Sequence, residues 1–104
     1  MKTNLEKTTG DIIRKLREEK AMPLRKIAAL LDIDTSFFSK IERSERKATK
    51  EQILKLEEIF EVEKNALMIP YLSEKIYYEL SDEDCATEVL KVAEERVKYE
   101  KSKK

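Results

Sequence analysis

The sequence predicts an all-α protein, and three observations carry that prediction. Only one glycine (Gly10) and two prolines (Pro23 and Pro70) punctuate the 104 residues. Apolar residues recur three or four apart nearly everywhere, and no segment alternates with the period of two that a half-buried strand needs. At this length the chain forms one small domain with room for an appendage, and its core must be built from short elements.

The elements follow in order. Thr8 and Asp11 have the spacing of a capping box, so a first helix starts near Thr8, carries Ile13, Leu16 and Arg17 at helical positions, and ends around Lys20 and Ala21. Pro23 suits the start of a second helix of barely two turns, with Ile27, Ala28 and Leu31 as its apolar stripe before Asp32 interrupts it. After an LDI turn, Asp34 is placed to cap a third helix. Thr49 with Gln52 makes a capping box for a fourth, whose inner face is Ile53, Leu56 and Phe60 with Ile59 beside them. A fifth is expected over roughly Lys64 to Leu80. Ser81 and Asp84 are placed to open the last helix, in which Ala86, Val89, Leu90, Ala93 and Val97 repeat at helical spacing.

Composition restricts the chemistry available. The chain has no histidine and a single cysteine, Cys85, so no zinc site, disulfide framework or histidine-based triad can be assembled, and no metal or cofactor is expected. Cys85 follows a run of acidic residues and is expected to be a buried structural residue, with a reactive thiol as the alternative. MKTNLEKTTG lacks the apolar core of a signal peptide, and the longest apolar run, ALMIPYL, is too short to span a membrane. A cytoplasmic location is expected.

Charge is balanced in total and divided along the chain. Residues 1 to 50 carry 13 Lys or Arg against 8 Asp or Glu, a net of +5, and residues 51 to 104 carry 9 against 14, a net of −5. The first half is a candidate for binding a polyanion; the alternative is two plain solvated surfaces.

The third helix separates these readings. At about 100° per residue, Phe38 and Ile41 share one side and belong to a core, while Thr35, Ser39, Arg43, Ser36 and Lys40 sweep out a continuous polar face opposite. Phe37 falls on the boundary, either packing against the support or making an apolar contact with a thymine methyl or the sugar backbone. A short helix, a tight turn and a second helix with a small, hydrogen-bonding, basic outer face suit insertion into a major groove. Thr35, Ser36 and Ser39 can bond base edges, Lys40 can reach guanine acceptors, and Arg43 can hold a phosphate.

On these residues the chain resembles a known family. The run GDIIRKLREEKAMPLRKIAALLDIDTSFFSKIERSERKATKEQILKLEEIFEV is similar to the helix-turn-helix domain of the Xre family, which includes Cro and the phage repressors. The patterns IRKLREEK, IAALL, SKIER and LKLEEIF stand in that order and at family spacing over about residues 10 to 67. YLSEKIYYEL and the final helix also resemble short regulators with a helical tail associated with restriction-modification loci. The resemblance implies a compact five-helix fold of the phage-repressor type with an additional C-terminal helix, in which residues 8–67 form the DNA-binding domain and residues 68–104 a helical, dimerising extension.

In that family Leu24 to Leu31 would be the supporting helix and Thr35 to Arg43 the recognition helix. Thr35, Ser36 and Lys40 would face bases, with Phe37, Ser39 and Arg43 beside the groove wall. Glu42 would pair with Arg17 of the first helix, which makes it structural. Relatives often carry Gly where this chain has Ala21, Asp32 and Ser44, and a left-handed backbone there would cost a non-Gly residue about 1 kcal/mol. Pro23 and Leu24 replace the Ser or Thr and Gln with which many relatives clamp a phosphate. Arg25 and Lys26 could substitute electrostatically, and Arg46, Lys47 and Lys50 form a second basic cluster, for phosphates or for plain solvation.

Leu67, Tyr71, Leu72, Ile76, Tyr77, Tyr78 and Leu80 supply more apolar surface than one short helix needs for docking. Together with Val89 and Ala93 they suggest self-association, and the resemblance favours a homodimer reading an inverted repeat of double-stranded DNA. The alternative is a last helix folded back on its own subunit. The expected function is a sequence-specific regulator, a repressor or a restriction-modification controller. An antitoxin-type interaction module, binding a protein partner through its acidic C-terminal region, is the other reading. An enzyme is not expected and no small-molecule substrate is evident: Ser39 and Lys40 are adjacent and cannot face one another on a helix.

Overall fold

The computed structural model describes residues 7–103, so the signal-peptide reading of MKTNLEKTTG rests in part on residues outside those described. Six helices follow one another: α1 (Thr9–Glu19), α2 (Leu24–Leu31), α3 (Thr35–Glu42), α4 (Lys50–Phe60), α5 (Met68–Leu80) and α6 (Ala86–Ser102). Among the described residues there is no strand.

The capping boxes at Thr8 with Asp11 and at Thr49 with Gln52 both form, each closed by reciprocal side-chain and backbone bonds. Four helices then end alike. Ala21 (φ 53°), Asp32 (φ 57°), Ser44 (φ 63°) and Glu61 (φ 53°) all take the left-handed region without glycine. At each, the next residue's N–H returns to a carbonyl of the last helical turn: Met22 to Arg17, Ile33 to Ala28, Glu45 to Lys40 and Val62 to Glu57. This is the Schellman ending, which satisfies carbonyls that the helix leaves open.

The chain divides into two compact units, Met1–Glu74 and Lys75–Lys104. The core of the first is built from Ile13 of α1, Ile27, Ala28 and Leu31 of α2, Phe38 and Ile41 of α3, and Ile53, Leu56 and Phe60 of α4, all buried. Leu67, Met68 and Tyr71 complete it, which is why the unit runs past residue 67 to Glu74. Tyr71 also donates its hydroxyl to the Ala48 carbonyl at 2.7 Å. Buried in its own core, Tyr71 is not the exposed interface residue that the sequence suggests, and Leu67 is likewise core.

Four local expectations are corrected, that of a buried Cys85 among them. The fifth helix begins at Met68 rather than Lys64 because Asn65 is left-handed (φ 71°) and buried Glu57 takes the first free N–H groups, those of Leu67 and Met68, at 2.9 and 3.0 Å. Asp34 occupies the N-cap of α3, yet its carboxylate makes no capping bond. Ser81 and Asp84 do not open the last helix: Ser81 to Cys85 is a turn segment, and α6 starts at Ala86 with Cys85 as its N-cap. Cys85 is exposed, because that turn contributes nothing to a core.

In the second unit, α6 has no buried residue. Tyr77 and Tyr78, at the end of α5, meet edge to face with ring centroids 5.5 Å apart.

Candidate nucleic-acid interface

The position of α3 is fixed from its inner side. Phe38 is fully buried and Ile41 and Glu42 nearly so. Glu42 accepts from Arg17 Nε at 2.6 Å and from Nη2 at 3.1 Å, while Arg17 Nη1 donates to the Met22 carbonyl at 3.0 Å. One guanidinium thereby ties α1, the turn before α2 and α3 together. The hydrogen bond to Glu42 raises the Arg17 pKa further above its ordinary value, against the opposing effect of burial. Both partners of this ion pair are largely removed from water, so each is costly without the other.

Gly10 brings α1 and α3 still closer. A Cβ there would be driven into the carbonyl oxygens of Ile41 and Glu42, so the single glycine of the chain serves a backbone contact rather than a turn. The same end of α1 is held twice more. Ser44 Oγ donates to Thr8 Oγ1 at 2.7 Å, and Glu74 of α5 accepts from the Thr9 N–H at 2.7 Å and the Thr9 hydroxyl at 2.6 Å. A carboxylate at this helix start also faces the positive end of the α1 dipole.

With its inner side locked, α3 presents a defined outer side. Thr35, Ser36, Lys40 and Arg43 are exposed, and Ser39 and Phe37 are half-buried. Phe37 packs against the core cluster, so its ring helps seat the helix. Asp32, Ile33 and Asp34 make the turn from α2; Ile33 packs against the core while the two acids are exposed.

The remaining basic residues named from the sequence, Arg25, Lys26, Arg46, Lys47 and Lys50, are all exposed. The first two lie in the first turn of α2, and the others follow α3 up to the start of α4. Arg43 is exposed but engaged: Nε donates to Glu45 at 2.8 Å and Nη1 to Ser39 Oγ at 2.9 Å. Of the residues considered for self-association, Leu72, Ile76, Tyr78, Val89 and Ala93 are exposed and Leu80 is half-buried.

Sequence reading passed over Gly10, Glu45, Glu57 and Glu74. The first had a signal, since the only glycine in a helix-rich chain sat inside a helix, where it costs about 1 kcal/mol relative to Ala. The three acids had none, because each acts on a partner that only the folded chain brings near. Among the described residues no cluster suits a metal ion, and no helix is long and apolar enough to cross a membrane.

A supporting helix, a tight turn and a rigidly seated second helix with a polar outer face define a helix-turn-helix protein. Residues 13–67, more than half of the chain, match the helix-turn-helix family HTH_3. The chain belongs to this Xre-type family and is a DNA-binding transcriptional regulator, in a class that typically works by binding rather than catalysis. It is also similar to a solved structure, that of a Tyr-to-Phe variant of the restriction-modification controller protein C.Esp1396I. The identity is 26% and the TM-score 0.53, over 73% of this chain and 96% of that one. A comparison with curated proteins finds no match.

Proposed function

We propose that the protein is a homodimeric, sequence-specific repressor or restriction-modification controller that reads an inverted-repeat operator with α3 in the major groove. The carrying observation is the two-sided character of α3: its inner side is locked by Phe38, Ile41 and Glu42, and its outer side is exposed and hydrogen-bonding. A rigid support matters because base discrimination depends on donors held within hydrogen-bond distance of fixed edges.

Thr35, Ser36, Ser39 and Lys40 supply the base contacts in this reading, with Phe37 at the rim. Arg25, Lys26, Arg46, Lys47 and Lys50 neutralise phosphates and give affinity that falls with salt. Residues 8–67 act as the DNA-binding part, and the extension over residues 68–104 joins two copies through Leu72, Ile76, Tyr78, Leu80, Val89 and Ala93. A twofold dimer then sets two recognition helices about one DNA turn, roughly 34 Å, apart. The likeness to a controller protein supports a restriction-modification setting.

Selection of bound duplexes from a random pool tests the reading. Enrichment of a two-part inverted repeat is the expected result, and failure to enrich any sequence at moderate salt would defeat it.

A further inference from the structure

Left-handed Ser44 turns the chain back across the end of α3, where the Glu45 N–H donates to the Lys40 carbonyl at 2.8 Å. With its backbone held there, Glu45 offers both carboxylate oxygens to Arg43: Nε donates to Oε2 at 2.8 Å and Nη2 to Oε1 at 3.4 Å. Nη1 of the same guanidinium donates to Ser39 Oγ, one helical turn back, at 2.9 Å.

A guanidinium carries five N–H groups in one rigid plane. Glu45 takes the side edge and Ser39 takes one hydrogen of Nη1. Three of the five hydrogens are thus engaged, and one each on Nη1 and Nη2 remains for an acceptor outside the protein. Two parallel N–H groups on one edge match the O6 and N7 acceptors that guanine displays in the major groove. The same fork also fits two phosphate oxygens, but a carboxylate bonded to the guanidinium offsets the positive charge that a phosphate contact exploits.

We propose that Arg43 reads a guanine edge and that Glu45 and Ser39 are positioning residues holding its guanidinium in plane. The proposal rests on the DNA-reading function above and moves Arg43 from a phosphate contact to a base contact. The Arg43 hydrogen bond, with smaller help from the charges of Arg43 and Lys40, holds the Glu45 carboxyl below the usual carboxylate range. The pair is therefore in place above that range and is lost as pH falls through the lowered value.

The sign of the charge effect makes the test decisive. Glu45 is an acid beside a face that meets a polyanion, so its removal should by charge alone strengthen binding to every sequence. Selection from a random pool is run with the wild type, E45Q, R43K and the double variant, followed by affinities on the selected duplex and on each single-base-pair change. The wild type is expected to require a guanine in each half-site. E45Q should bind random DNA at least as tightly as the wild type, yet lose about tenfold in discrimination at that guanine, the scale of one bidentate base contact. R43K should lose the same position, and the double variant no more than either single change, because the two residues act as one unit.

A uniform gain of affinity in E45Q with an unchanged motif overturns the proposal, as does loss at different positions in E45Q and R43K. In either case the wild-type motif leaves the proposed function standing. A wild type that enriches nothing overturns both.

Discussion

A Cβ added at Gly10 meets backbone oxygens of Ile41 and Glu42, which cannot rotate away as a side chain would. Gly10→Ala should therefore destabilise the protein by about 1–3 kcal/mol, the range for overpacking, although Ala is the better helix former. Urea denaturation measures it, and unchanged or increased stability would mean that α1 and α3 can separate at no cost. The Arg17 and Glu42 pair makes a second prediction at this scale. Glu42→Ala strands a largely buried guanidinium and should cost about 3–5 kcal/mol, whereas replacing both partners by Met and Leu should cost far less. Equal losses in the single and double variants would make the pair incidental.

At the scale of the element, the helix endings stand out. Four Schellman turns place Ala21, Asp32, Ser44 and Glu61 in a conformation that suits glycine. Ala21 is exposed and its side chain makes no hydrogen bond, so Ala21→Gly should stabilise the protein by about 1 kcal/mol through relief of backbone strain. A lower melting temperature in that variant would show that the gain in unfolded-chain entropy outweighs the strain. The capping boxes at Thr8 and Thr49 were legible in the sequence because a cap is a contact between residues three apart. The start of α5 was not, because its capping carboxylate, Glu57, lies ten and eleven residues before its partners.

At the scale of the whole molecule, the large exposed hydrophobics concentrate in the C-terminal part. Leu72, Ile76, Tyr77, Tyr78, Val89, Leu90, Val92, Val97 and Tyr99 are all exposed, although none of these is a type that favours water. If two copies bury this surface, Ile76→Lys with Tyr78→Lys should yield a monomer by sedimentation. Affinity for a full inverted repeat should fall much further than affinity for a half-site, because two linked contacts are lost together. A double variant that still sediments as a dimer would place the interface elsewhere. The apolar excess of this region was visible in the sequence; that Tyr71 and Leu67 belong to the core instead was not, since helical spacing fixes a face without saying what covers it.

The helical class, the family resemblance and the polar outer face of the third helix were all legible along the chain, because periodicity, caps and short motifs are written in nearby residues. How that face is held and equipped emerges from the folded chain. Gly10 against the end of α3, Glu74 on the start of α1, and Glu57 under α5 are meetings of residues from different elements. Even the Glu45 carboxylate, two positions from Arg43, comes to it only because left-handed Ser44 turns the chain back. Such contacts follow from packing and from the path of the backbone, and neither has a period along the chain.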